Sequence, residues 1–160
     1  MKYFSKHAEI GKVKNNYIWK LIKEVKHIDR LAKGSKPRIL IVENNKRTIK
    51  SIKKVLDKKC EVDSVFDGEA AVELAKTNKY NLFMIDVDLD KGLTGLQTTK
   101  LIKNISSNRH IPVIALTSHE KEYFKEISGT NLFDALLYKP LKLAFLITLV
   151  QNVLVSLEVF

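Results

Sequence analysis

Apolar residues recur along the chain with two different periods, and the change of period divides it. Ile18, Leu21, Val25, Ile28 and Ala32 follow one another at spacings of three and four, which lays a single stripe along an amphipathic helix. The spacing predicts a helix over residues 16–33, too short for a coiled coil. Its stripe must be buried against the rest of the chain or against another chain. Lys33-Gly34-Ser35-Lys36-Pro37 closes it, because glycine readily ends a helix and proline cannot continue one. The boundary separates an extension, residues 1–36, from a domain spanning residues 37–160.

Past Pro37 the period shortens. Arg38–Val42 is a β-branched run, the mark of a buried strand. Thr48, Ile49, Ile52 and Val55–Leu56 fit a helix. Glu61–Phe66 alternates as a second strand, and Asp67 can cap a helix running through Ala75. Asn81–Ile85, Ile111–Leu116 and Ala135–Tyr138 are three further strands. Leu96–Ile105, the weaker Lys121–Ile127 and Leu141–Leu157 are helical. Strands alternating with helices predict right-handed βαβ units and one parallel sheet. The last helix is apolar on more than one side. Leu143, Ile147, Val150, Leu154 and Leu157 are expected to face the sheet, which leaves Phe145, Leu149 and Val153 outward. An outward apolar face of that kind predicts packing against the N-terminal helix or a homodimer.

Composition changes this picture little. The length of 160 residues suits one domain, and Cys60, the single cysteine, allows no internal disulfide. No apolar run suits a signal peptide or a membrane span, so a cytoplasmic protein is expected. Charge changes it more. The net charge is +10, and residues 1–37 hold ten Lys and Arg against three acids, leaving +3 for the other 123 residues. The extension is therefore the basic part, suited either to acidic partners or to plain solvation. Its Lys20, Lys23, Lys26, Arg30 and Lys33, near Tyr17 and Trp19, form no helix-turn-helix pattern, so nucleic acid is not an expected partner. His27 is read as helix surface.

Parallel sheets place their chemistry at the carboxyl ends of their strands. Those ends read Glu43-Asn44-Asn45, Asp86, Thr117-Ser118 and Lys139-Pro140. A carboxylate there can attack a phosphoryl group. A lysine and a hydroxyl can bind the phosphoryl oxygens. Acidic and amide oxygens suit Mg²⁺. Each residue alone is ordinary, but one per strand end in this order is not.

These ends, carried by ILIVENN (39–45), NLFMIDVDLDKGLTG (81–95), IPVIALTSH (111–119) and LLYKP (136–140), resemble the receiver domains of two-component response regulators. The resemblance covers residues 38 to 155. It implies a flavodoxin-like, doubly wound, five-stranded parallel sheet of order 2-1-3-4-5, with the N-terminal helix as an addition. It implies phosphorylation of Asp86 by a histidine kinase or phosphotransfer protein, a switch hydroxyl on Thr117 and a phosphoryl-binding Lys139 joined by a cis bond to Pro140. It also implies Mg²⁺ held by Glu43, Asn44, Asp86 and the backbone carbonyl of Asp88. Gly95 and the helix it opens match family features. The chain is expected to be no enzyme in the ordinary sense.

Three positions depart from the family pattern. Asn44 replaces an aspartate and removes one charge from the metal site, with Asp88 or Asp90 the candidates to offset it. Leu136 stands where an aromatic switch residue is expected, with Tyr138 two residues on along the same strand face. The loop after Asp86 lacks its usual proline. Two other readings compete. In one, a pseudoreceiver keeps the fold but is not phosphorylated because of Asn44. In the other, Asp86-Val87-Asp88 opens a phosphohydrolase of the haloacid-dehalogenase type. That motif belongs on the first strand, and the family needs an acidic pair after the lysine, whereas only Glu158 follows Lys139.

Overall fold

The computed structural model describes residues 36–118 and 130–157, with side chains of the last helix through residue 154. The helices expected over residues 16–33 and Lys121–Ile127 lie outside the described residues. The elements in order are β1 (Arg38–Val42), α1 (Lys46–Leu56), β2 (Glu61–Val65), α2 (Gly68–Thr77), β3 (Leu82–Asp86), α3 (Gly95–Asn104), a 3₁₀ turn (Ser106–Asn108), β4 (Val113–Thr117), β5 (Ala135–Tyr138) and α4 (Leu143–Leu157). The strands form one sheet of order β2-β1-β3-β4-β5, and every pairing is parallel. That is the topology implied by the sequence resemblance.

Alternation along the strands divides the core into two layers. Ile39, Ile41, Leu82, Met84, Ile114, Leu116, Ala135 and Leu137 meet Ile49, Ile52 and Leu56 of α1 and the inner face of α4. Their neighbours Leu40, Val42, Phe83, Ile85, Val113 and Ala115 meet Ala71, Val72 and Ala75 of α2 and Ile102 of α3. The central strands β3 and β4 are buried at all five positions, as strands covered on both faces must be.

Local chemistry sets the helix starts. Asn45 caps α1 by accepting from the N–H groups of Arg47 and Thr48, and Asp67 caps α2 by accepting from Ala70, as expected. Thr94 and Gln97 form a capping box at the start of α3. Gly95 opens that helix because nothing larger fits. A Cβ there would lie 2.1 Å from the Asp86 carbonyl oxygen and 2.5 Å from Val87 Cα, backbone atoms that cannot rotate away. The first turn of α3 is thereby seated against the end of β3.

The register expected for α4 needs correction. Leu146, Leu149, Val150, Val153 and Leu154 are the buried residues, while Phe145 is exposed. Leu149 and Val153 therefore face the core and not the outside, and Ile147 is only partly buried. The stripe 146, 149, 150, 153, 154 is a complete helical face. A helix apolar on most sides offers two such stripes, and spacing alone does not choose between them.

A polar cluster closes the amino ends of β1 and β3. Arg38 donates through Nε to Asp63 Oδ2 (2.9 Å) and through Nη1 to Asn78 Oδ1 (3.1 Å). The Tyr80 hydroxyl donates to the same Asp63 oxygen at 2.8 Å. The Arg38 guanidinium lies 5.2 Å from the Tyr80 ring centroid. Burial, the hydrogen bond to Asp63 and the Asp63 charge push the Tyr80 phenol well above its ordinary value, against the smaller opposite pull of Arg38. No helix among the described residues is long and apolar enough to cross a membrane.

Candidate functional site

The opposite, carboxyl edge of the sheet gathers the polar strand ends. Val42 pairs with Ile85, so Glu43 and Asp86 sit side by side one step further on. Asp86 pairs with Leu116, and Thr117 with Tyr138. The Lys139 N–H donates to the Thr117 carbonyl at 2.8 Å, and the Lys139–Pro140 bond is cis, as the resemblance implies.

Glu43 is 0% exposed and Asp86 and Thr117 each 1%. Carboxylates buried that deeply require partners. Lys139 supplies one to both, its Nζ lying 2.7 Å from Asp86 Oδ2 and 2.6 Å from Glu43 Oε2. Asp86 Oδ1 accepts from the Asp88 N–H at 3.0 Å. Glu43 Oε1 accepts from the Asn45 N–H at 2.9 Å. Burial above all, and then the charge of Asp86, push Glu43 above the usual carboxylate range, although Lys139 and the Asn45 N–H pull it back. Burial pulls Lys139 down most strongly, but its hydrogen bond to Asp86, its close contact with Glu43 and the two carboxylate charges together outweigh it and hold it above its ordinary value. The ammonium is thus the fixed charge of the cluster.

Two carboxylates against one ammonium leave a formal surplus of one negative charge, which suits a divalent cation. Among the described residues, Glu43 Oε2 is the one buried side-chain oxygen without a hydrogen-bond donor. Its close partner is the Lys139 ammonium, an ion pair at 2.6 Å. No group of three acidic, His or Cys side chains converges among the described residues. A cation here would therefore take two carboxylates, neutral oxygens and water. That donor set fits Mg²⁺, which keeps several waters.

The remaining candidates fall around this centre. Asn44 adjoins Glu43, and its Nδ2 donates to Asp90 Oδ2 in the loop after β3. Of the two acids considered as offsets for Asn44, Asp90 is the one that reaches it. Asp88 Oδ2 instead accepts from the Ser118 N–H at 3.2 Å, linking the loops after β3 and β4. Leu136 packs into the layer beneath α2 and α3. Tyr138 lies opposite Thr117 in register, and paired positions of parallel strands share a face. The aromatic of this strand therefore stands opposite Thr117, at a position the family pattern does not use. Sequence reasoning named Asp90 as one of two candidate partners of Asn44, and no spacing rule chooses it over Asp88.

Two grooves flank α1. One of about 280 Å³, lined by Arg47, Thr48, Ser51, Lys139, Pro140, Leu141 and Leu143, opens beside the site. The other, about 400 Å³, runs between α1 and half-exposed Phe66, with Lys46, Lys50, Lys53 and Lys54 on its walls. Basic character is therefore not confined to the extension. α1 carries five cations and no acid.

The family model for the response regulator receiver domain matches residues 39–151. The chain is 33% identical over 109 residues to the sensor histidine kinase GacS of Pseudomonas protegens, a match covering 66% of this chain and 12% of that protein. It is 27% identical over 117 residues to the polar-differentiation response regulator DivK of Brucella anthropi, covering 72% of this chain and 94% of that one. Among solved structures it is similar to the receiver domain of the sensor histidine kinase PA1611 from Pseudomonas aeruginosa, crystallised with a magnesium ion coordinated in its active-site cleft. That similarity has a TM-score of 0.69 at 29% identity and covers 75% of this chain and 98% of that one. The chemotaxis protein CheY4 of Vibrio cholerae shares the fold, with a TM-score of 0.68 at 22% identity over 74% of this chain and 99% of that one. The chain belongs to the response-regulator receiver family, a signalling module of two-component systems.

Proposed function

We propose that this receiver accepts a phosphoryl group on Asp86 from a histidine kinase or phosphotransfer protein and passes the change on through altered protein contacts. The observation that carries the reading is the buried triad of Glu43, Asp86 and Lys139, with Lys139 hydrogen-bonded to Asp86 at 2.7 Å. Residues 37–160 form the receiver, and residues 1–36 are a basic appendage. A cytoplasmic setting follows from the donors.

Phosphoryl transfer asks for positioning and charge more than for covalent assistance. The Asp88 N–H and the Lys139 ammonium hold one Asp86 oxygen each, which fixes the carboxylate plane. A carboxylate oxygen forms the new P–O bond as the P–N bond to the donor imidazole breaks. The electron pair of the broken bond stays on the imidazole nitrogen. Lys139 is placed to follow the incoming charge onto a phosphoryl oxygen. Thr117, at the end of the adjacent strand, offers its hydroxyl to another. Glu43, Asn44, Asp86 and the Asp88 carbonyl would hold Mg²⁺, whose charge offsets that of the phosphoryl oxygens. A shift of Thr117 selects between two surface arrangements.

Asn44 favours a second reading, an unphosphorylated interaction module. Intact mass after incubation with acetyl phosphate and Mg²⁺ separates the two. The expected result is one phosphoryl adduct, lost in Asp86→Asn and lost without metal. If the adduct forms only in Asn44→Asp, the native chain is a pseudoreceiver and the proposal fails.

A further inference from the structure

We propose that Asp90 is the positioning residue that makes Asn44 a working metal ligand, so that the two replace the missing aspartate as a pair. The inference rests on the metal-dependent reading of the site. A carboxylate can only accept hydrogen bonds, so the contact between Asp90 Oδ2 and Asn44 fixes the amide with its nitrogen toward Asp90. The carbonyl oxygen is then the end left for a cation. Asn44 directly follows Glu43, whose buried Oε2 has no hydrogen-bond donor. The amide and the buried Glu43 oxygen, whose close partner is the Lys139 ammonium, are thus adjacent at the end of β1.

Charge acts in the same direction. An N–H donated to a carboxylate is a charge-assisted bond, and it draws electron density toward the amide oxygen. Partners of this kind orient metal ligands and raise their basicity. Asp90 also returns, one amide group away, the negative charge that Asn44 lacks. Asp90 is exposed on its loop, so the pairing is not forced by burial. An aspartate in place of Asn44 would instead face the Asp90 carboxylate, and like charges at contact repel. Asn44 with Asp90 is therefore one compatible combination. An aspartate at the first position with a neutral residue at the second is the other.

The test is calorimetric titration with magnesium chloride of the full chain and of Asp90→Ala, Asn44→Asp and the double variant, each checked for folding by far-UV circular dichroism. Loss of a ligand's supporting partner costs ~10–100-fold in metal affinity, so Asp90→Ala should bind Mg²⁺ at least ~10-fold more weakly. In the Asn44→Asp background the same change should leave affinity unchanged or strengthen it. An Asp90→Ala change without effect in the native chain overturns the proposal. So does equal weakening in both backgrounds, which would make Asp90 a general charge with no link to Asn44. Binding by Asn44→Asp alone overturns it too but leaves the site intact. Absence of binding in all four proteins removes the metal reading itself.

Discussion

Removing Lys139 is the sharpest perturbation of the site. Its side chain is 18% exposed and that of Glu43 0%, so Lys139→Met leaves two buried carboxylates with no counter-charge between them. Breaking a buried ion pair from one side costs ~3–5 kcal/mol, whereas replacing whole charge clusters is often close to neutral. Lys139→Met should therefore lower stability by ~3–5 kcal/mol. Adding Glu43→Gln should recover a large part, because it removes the repulsion that the first change exposed. Mg²⁺ should stabilise Lys139→Met more than the native chain, since the cation then meets two unneutralised carboxylates. The assay is urea unfolding followed by circular dichroism, with and without Mg²⁺, over the complete double-variant cycle. Additive losses would refute the reasoning, because they would mean that the ammonium packs as an apolar stem and its charge is not coupled to Glu43.

Two more outcomes are expected elsewhere in the fold. Leu149→Ala should cost ~2–5 kcal/mol as a core truncation, whereas Phe145→Ala should cost well under half of that, and the reverse order in urea unfolding would restore the outward register of α4. Because Tyr80 titrates above its ordinary value, its contribution to stability is complete below about pH 10 and is lost as pH rises through the folded value. Phenolate absorbance of the native chain minus that of Tyr80→Phe should show this tyrosine ionising last, and a difference curve centred near pH 10 would contradict it.

The parts of the fold legible in sequence are those where residue type and period agree. The five strands were visible because apolar runs end in a polar residue, and the four strand-end candidates were visible for the same reason. The cap at Asp67 carries a local signature that needs no tertiary information, whereas Gly95 was marked only by the family resemblance, because what requires it is the close approach to the end of β3. The register of α4 was not legible, because Leu143–Leu157 has too few polar residues to mark its outer side. The choice of Asp90 over Asp88 as the partner of Asn44 was not legible either. Asn44 and Asp90 are 46 positions apart, and their meeting depends on the path of a loop. Tyr138 was placed on the correct face by alternation, but its position opposite Thr117 required the strand register.

The Arg38–Asp63–Tyr80 cluster has a consequence for how this domain can change over time. It braces the amino ends of β1 and β3, while the acidic triad occupies the carboxyl ends. Five residues of strand put ~13 Å between the ends, beyond the ~7–10 Å within which substitutions couple. Part of the bracing of β1 and β3 thus lies out of reach of the acidic triad. Replacements such as Asn44 or Leu136 at the carboxyl edge leave that bracing untouched, so the fold can outlast revisions of its own site.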